Sequence, residues 1–287
     1  MSQFISKSSV ESVGMKSQFA HIINPVVVHK DSDLFRAQPV TFETMKNAKS
    51  YALLHNVYVD HLATCYKSDE IMVPDGFANA GNLQRSILDF GTFSKPKKLP
   101  LLADILGALY HSSNAEYLIY TNVDIALMPH FYVTLEKIMQ EGYDAVNIFR
   151  RTLDDSYQGV DDIPYMYADF GFDHPGTDCF VFKRALFEKF DLQNIAIGCR
   201  FVAFALRINL FVFADKIKEF DKIHMTFHIG DDRSWDDLDD MSIYNEKELD
   251  NIFDNLEQRE DANKEVLKDL RAKFNKRKQW WRGRNVK

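Results

Sequence analysis

Cysteine is scarce in this chain: Cys65, Cys179 and Cys199 are its only three. They lie far apart and form no C-x-x-C pair. That excludes a disulfide framework and a cysteine-rich zinc site, and leaves buried free thiols in a reducing compartment. Met1 to Gln18 is polar and serine-rich and has no apolar h-region, so it does not read as a secretory signal peptide. No run reaches the roughly 18 apolar residues of a membrane span. Excess positive charge is missing too, since the formal net charge is -7. An acidic chain of this kind is a poor nucleic-acid binder. There is no internal repeat. The expectation is a cytoplasmic protein without a nucleic-acid partner.

What is present is enough for a large core. The chain has 287 residues, 46% hydrophobic and 27% charged, with 23 Phe and 12 Tyr. That length suits one large α/β domain or two small ones. Phe19 to Val28 reads as a first strand, interrupted or bulged at Pro25. Val40 to Ala52 reads as a helix, with Phe42, Met45, Ala48 and Ala52 near one face. Asn56 to Cys65 and Ile71 to Val73 read as strands, and Leu83 to Phe90 as a helix. Pro100 opens a helix from Leu101 to His111, since proline suits a first helical turn.

Tyr117 to Thr121 is a buried strand, followed by a helix from His130 to Gly142 and a strand from Ala145 to Phe149. Residues 151–178 are irregular, with four Asp (Asp154, Asp155, Asp161, Asp162) early on. Cys179 to Phe182 reads as a strand and Ala185 to Phe190 as a short helix. Arg200 to Asn209 reads as a helix and Leu210 to Ala214 as a strand. Glu246 to Trp281 is a long helix or helix pair with an apolar stripe at Leu249, Ile252, Phe253 and Leu256. Strand and helix alternate with short links, which predicts an α/β, Rossmann-type, mostly parallel sheet flanked by helices, with a C-terminal helical extension. The expected division is a catalytic domain over 1–245, with a nucleotide-binding half at about 19–150 and an acceptor half at 151–245, followed by a basic extension over 246–287.

The chemistry centres on Asn122-Val123-Asp124, at the C-terminal end of a buried strand. Ligands bind at that edge of an open α/β sheet. A carboxylate there is costly unless a cation or donors balance it. Asp124 suits a hard divalent ion, Mg²⁺ or Mn²⁺, which keeps phosphate oxygens as further ligands. The bland alternative has Asp124 capping a turn and Asn122 bonded to backbone.

Leu99 to Tyr132 resembles the centre of the GT-A glycosyltransferases, where a helix leads into a strand ending in a DxD motif. The resemblance implies that Asp124 binds the metal bridging a nucleoside diphosphate, and that Asn122, standing where the first Asp would be, contacts metal, ribose or sugar. His228-Ile229-Gly230 followed by Trp235 resembles a late His-x-x-Gly-x-x-Lys-Pro-Trp segment of retaining members, whose His completes the metal site. Gly230 comes one residue early, and Arg233-Ser234 replaces Lys-Pro. His174-Pro175-Gly176-Thr177-Asp178 resembles the segment whose acidic residue faces donor or acceptor. Asp178 is then a sugar-orienting group or a general base, with Asp173 a neighbour for the same work.

Arg150 and Arg151 follow the next strand and could reach the diphosphate or an acidic sugar. Asp75, Asn82 and Arg85 are candidates for nucleotide or donor-sugar contact, as are Asn24, Asp31 and Asp33 near the first strand. Residues 271–287 carry eight Lys or Arg with Trp280 and Trp281. They could touch an anionic membrane, cover the diphosphate, or simply end a helix. The acidic run Asp231 to Asp240 could pair with them.

The resemblance implies hexosyl transfer from a nucleoside diphosphate sugar to a hydroxyl of a glycan or glycolipid, as in polysaccharide biosynthesis, with retention and inversion both open. A sugar nucleotidyltransferase is less favoured, because Val26 to Arg36 has no glycine to cradle a triphosphate. A metal-dependent phosphohydrolase would need more clustered acids at strand ends. A non-enzymatic nucleotide- or glycan-binding module is the remaining alternative.

Overall fold

The computed structural model describes residues 18–230 and 239–284. Trp235, the acidic run as far as residue 238 and the side chains of Trp280 and Trp281 lie outside the described residues. A sheet runs through the centre in the order β3 (Ala78–Asn82), β2 (Val59–Cys65), β1 (Phe19–Ile23), β4 (Tyr117–Thr121), β7 (Phe172–Lys183), β6 (Ala145–Leu153), β9 (Thr226–Ile229) and β5 (Ala126–Leu127). β8 (Ile217–Phe220) pairs with the first half of β6, and β9 with its end. The pairs β1–β2, β1–β4, β2–β3, β6–β8 and β6–β9 are parallel. β7 is antiparallel to both β4 and β6. Two antiparallel steps leave β6 pointing the same way as β4. The C-terminal ends of β1 to β4, β6 and β9 therefore share one edge of the sheet.

Both faces are covered, which is why β1 and β4 read as mostly apolar runs rather than alternating ones, with His21 the polar exception in β1. Successive residues still divide between the two faces. Ala20, Ile22, Leu118 and Tyr120 join a cluster with Leu106 of α2 (Leu102–Ser112), Leu206 of α6 (Val202–Phe213), Phe253 of α7 (Asp240–Gln258) and Phe274 of α8 (Lys264–Arg284). Phe19, Ile23 and Ile119 join the opposite cluster with Met45 and Ala48 of α1 (Asp33–Leu54) and Phe131 and Leu135 of α3 (Phe131–Gln140). The segment read as an extension from residue 246 thus contributes Leu249, Ile252, Leu256, Leu267 and Phe274 to the main core. The short helices α4 (Ile163–Ala168) and α5 (Arg184–Phe187) flank β7.

Several local expectations are corrected. Helix α1 begins at Asp33, ahead of Val40, and runs through Pro39. Buried Gln38 anchors this early turn by bonding both the amide and the carbonyl of Val26, each at 2.9 Å. Ile71 to Val73 is not a strand: a 3-10 turn covers Lys67–Met72, and the pairing segment is the polar Ala78–Asn82. An edge strand with little to bury leaves no periodic signal. The helix expected at Leu83 to Phe90 shrinks to a 3-10 turn at Ile87–Asp89, closed by a capping box between Ser86 and Asp89. Leu210 to Ala214 is the end of α6, not a strand. Its β-branched and aromatic residues pack in a largely buried helix, where burial overrides strand propensity. Residues 151–178 are more regular than expected, because β6 continues to Leu153 and β7 begins at Phe172.

Candidate active site

The shared sheet edge gathers the side chains that carry charge. β4 ends at Thr121, and the chain turns through Asn122, Val123 and Asp124, closed by the Ile125 amide donating to the Asn122 carbonyl at 3.2 Å. The turn brings the Asp124 Oδ2 to 3.3 Å from His228 Nε2. Its other oxygen, Oδ1, is buried and has no hydrogen-bond partner among the described residues. Such an atom costs on the order of 1–3 kcal/mol if nothing fills the position. Burial opposes ionisation of Asp124. The hydrogen bond and charge of His228, with the charge of Arg150, outweigh it and hold the carboxyl below its ordinary range.

His228 lies in β9, with Thr152 of β6 as its register partner. Its Nδ1 donates to the Gly230 carbonyl at 2.8 Å, which leaves Nε2 aimed at Asp124. Fixing one ring nitrogen through backbone is how proteins orient a metal-binding imidazole. Gly230 can return its carbonyl because its φ is +73°, and a Cβ there would stand 2.9 Å from the Asp155 Oδ1. Arg36 of α1 holds that turn by donating to the carbonyls of Asp155 and Tyr157 at 2.7 and 2.9 Å and by pairing with the Asp155 carboxylate. For His228, burial disfavours the charged form, but the bond to Asp124 and the Asp124 charge lift its pKa above the ordinary value. One carboxylate with an unpartnered oxygen, beside one oriented imidazole, fits a divalent cation that draws its remaining ligands from phosphate and water. No group of three or more His, Cys, Asp or Glu able to hold a metal occurs among the described residues.

On the β7 side, Asp178 faces the same turn. Ile148 pairs with Cys179 and Phe149 with Thr177, so Asp178 is an extra residue relative to β6. A bulge of this kind re-aims a side chain next to a site. Asp178 sits 3.4 Å from Asn122 Nδ2 and 3.4 Å from Arg150 Nη1. Burial pushes its carboxyl above the usual range; Arg150 opposes the rise and Asp124 adds to it. Asn122 is oriented by Tyr120, whose hydroxyl donates to the amide oxygen at 2.9 Å and so turns the amide nitrogen towards Asp178. Burial, reinforced by Asp124 and Asp178, raises the Tyr120 pKa and keeps it a donor.

The other sequence candidates divide. Arg150 is buried in the cluster, but Arg151 is turned away and bonds to Asp173 at 2.5 Å and the Gly171 carbonyl at 2.9 Å. Asp173 is thereby occupied as an ion-pair partner rather than placed beside Asp178. Asn24 stands one residue past β1 and donates to the Thr64 carbonyl at 2.6 Å. Asn82 ends β3 and donates to Glu70 at 2.7 Å, while its Oδ1 is buried without a partner among the described residues. Arg85 is spent on Asp104 of α2, its Nε bonding at 3.1 Å. Asp75 lines a separate open cleft of about 470 Å³ with Phe42, Lys46 and Asp161. Asp31 pairs with His29 at an exposed position, and Asp33 begins α1. Tyr120 and Arg36 were not singled out from sequence. A strand tyrosine and a helix arginine carry no motif of their own.

No protein-family model matches the chain, and no curated protein matches it in sequence. Solved structures do match. The S. aureus TarS 1-349 structure superposes with a TM-score of 0.54 at 9% identity, covering 91% of this chain and 70% of that one. The same protein in complex with UDP-GlcNAc gives 0.53 at 9% identity, covering 91% and 71%. Glucosyl-3-phosphoglycerate synthase from Mycobacterium tuberculosis, solved with Mn²⁺, UDP and phosphoglyceric acid, gives 0.45 at 14% identity, covering 81% and 77%. The likeness is one of fold: the chain shares with TarS an α/β architecture in which a mostly parallel sheet is flanked by helices.

Proposed function

We propose that this chain is a divalent-metal-dependent glycosyltransferase. It moves a sugar from a nucleoside diphosphate sugar to a hydroxyl of a glycan or glycolipid. The observation that carries the reading is the buried Oδ1 of Asp124, which has no partner among the described residues, beside the backbone-oriented Nε2 of His228. Asp124 and His228 would hold Mn²⁺ or Mg²⁺, which when bound neutralises charge on the departing diphosphate. The GT-A fold, and the capture of TarS with UDP-GlcNAc, support a nucleotide sugar as donor.

Each side chain then has a role. Asn122, held by Tyr120, presents its amide to the sugar or ribose. Asn24 and Asn82, at the ends of β1 and β3, border the nucleotide half. Asp178 takes the proton of the attacking hydroxyl: a carboxylate raised by burial is a better base than an exposed one. Arg150 beside it opposes the rise that burial imposes. Attack assisted by Asp178 from the face away from the diphosphate inverts the anomeric centre. Breakage of the anomeric bond passes through an oxocarbenium-like state, and a dry site limits loss of donor to water.

The test is a panel of nucleotide sugars, UDP-sugars first, incubated with Mn²⁺ or with chelator and assayed for released nucleoside diphosphate. Release from at least one donor, stopped by chelator, is expected. No release from any donor, together with no metal-dependent donor binding, contradicts the proposal. Proton NMR of the product linkage reads the stereochemistry.

A further inference from the structure

β6 and β7 run on past the end of β4 as a two-stranded ribbon. The last pair between β7 and β4 is Cys179 with Thr121, but β7 keeps pairing with β6 out to Phe172. Phe172 lies opposite Thr152, and Thr152 lies opposite His228 of β9, so the three form one row across the strands. Paired residues in a row point to the same face, and two strand spacings put the Phe172 backbone roughly 10 Å from that of His228. Phe172 is nevertheless 71% exposed. Thr152, between the two, is buried, and its hydroxyl has no hydrogen-bond partner among the described residues.

A lone exposed phenylalanine is ordinary. What distinguishes this one is that its backbone is clamped. Arg151, on the opposite face of the ribbon, bonds to the Phe170 carbonyl and to the Gly171 carbonyl at 2.9 Å, and pairs with Asp173 at 2.5 Å. The Gly171 amide donates to Asp169 Oδ1 at 2.8 Å. Gly171 adopts a φ of +53°, and a Cβ there would collide with the Thr152 carbonyl, so the chain passes β6 too closely for any other residue. One guanidinium thus pins the residues on both sides of a ring that adds little to the core. A ring presented on a fixed backbone loses little freedom when something packs on it.

We infer that Phe172 is a stacking platform for a pyranose ring of the acceptor, which makes the acceptor a carbohydrate. The apolar C–H face of a sugar lies flat on an aromatic ring, while its hydroxyls stay at the edge for hydrogen bonds. The place in the fold assigns the ring to the acceptor. The ribbon lies across β4 from β1, β2 and β3, whose ends border the nucleotide half, and Asp178 stands on the same strand as Phe172. Asp169 and Asp173 flank the ring along the chain. Carboxylates accept from sugar hydroxyls and repel an anionic bilayer, which favours a sugar over a lipid surface as the occupant. The word acceptor rests on the glycosyltransferase reading, but the sugar platform itself does not.

Saturation-transfer NMR with methyl glucoside, methyl galactoside and methyl N-acetylglucosaminide, in Mg²⁺ and saturating UDP, tests this on the intact protein. Phe172→Ala removes a ring that lies mostly in water, so the variant folds as wild type does. At least one glycoside should receive saturation at its ring C–H protons, with affinity falling roughly fivefold or more in Phe172→Ala and returning in Phe172→Trp. No transfer to any of the three, or equal affinity in Phe172→Ala, overturns the proposal. Transfer seen beside UDP but abolished when UDP-GlcNAc replaces it overturns it too, because the ring then serves the donor sugar. If wild type instead sediments with phosphatidylglycerol-containing vesicles and Phe172→Ala does not, the ring is a lipid contact and the proposal fails. Binding is read without turnover, so failure of the donor screen and failure of the sugar platform are separate results.

Discussion

Single residues decide whether the Asp124–His228 pair is correctly aimed. Gly230 carries much of that task, because only its φ of +73° returns a carbonyl to His228 Nδ1. Gly230→Ala would place a methyl group 2.9 Å from Asp155 Oδ1 and force an L-residue into the left-handed region. A cost of about 1–2 kcal/mol follows from the backbone alone. We expect a lower denaturant midpoint and a loss of metal-dependent donor binding larger than the stability loss explains. Unchanged metal dependence in a folded Gly230→Ala protein would show that the imidazole needs no such support. Tyr120→Phe removes the hydroxyl that orients Asn122 and leaves the ring in place. It should raise the donor KM or lower kcat with little change in melting temperature, read by steady-state kinetics and calorimetry.

At the scale of elements, β1, β2, β4 and α3 are joined beneath the site by a buried polar network. His21 bonds to Tyr132 at 2.8 Å and to Thr121 at 2.9 Å, and His61 bonds to the same Tyr132 hydroxyl at 3.0 Å. Burial lowers the His21 pKa to about 3. His61 is also well below its ordinary value through burial, then Lys49 and His21. The unfolded chain binds protons at these histidines below about pH 6.5, and the folded chain does not until far lower pH. Stability is therefore complete above that value and falls as pH drops from 6.5 towards 3. At pH 5, His21 alone accounts for about 2 kcal/mol. Urea midpoints at pH 7 and pH 5 test this, with His21→Gln expected to lose less on acidification than wild type. An equal loss in both proteins would place the acid sensitivity elsewhere.

The same elements show what was legible in the chain. Thr121 to Asp124 could be placed at a strand tip because Tyr117 to Thr121 is apolar on both faces and bounded by turn residues. Such a run reads as a buried strand in isolation. Asp178 was legible as a candidate, but the bulge that aims it depends on pairing with β6 and has no local signature. Arg150 and Arg151 look equivalent in sequence; strand pairing alone sends one to Asp178 and the other to Asp173. Strand β3 escaped notice because Ala-Asn-Ala-Gly-Asn buries almost nothing and is held by its neighbour's backbone.

Over the whole molecule, the basic C-terminal helix belongs to the core. Phe274 of α8 is fully buried, with its ring centroid 5.6 to 5.8 Å from those of Phe201, Phe204 and Phe253. Some of its basic side chains pair with α7: Arg271 with Asp254 at 2.6 Å and Glu257 at 2.7 Å, and Lys278 with Asp250 at 2.6 Å. Phe274→Ala should cost about 3–5 kcal/mol. Arg271→Ala, which removes partly exposed pairs, should cost no more than about 1–2 kcal/mol. Urea unfolding of the two variants checks the order; a Phe274→Ala loss no larger than that of Arg271→Ala would mean α8 is peripheral. No described helix is long and apolar enough to cross a membrane.

The proposed transfer depends on a cation held by one aspartate and one histidine at the ends of β4 and β9. Isothermal titration of nucleoside diphosphates into the intact protein, with Mn²⁺ and with chelator, measures that directly. Binding in Mn²⁺ should vanish with chelator and weaken by roughly tenfold or more in Asp124→Asn and in His228→Gln, with both variants folded. Equal affinity with and without the metal, or wild-type affinity in a folded Asp124→Asn protein, would contradict it.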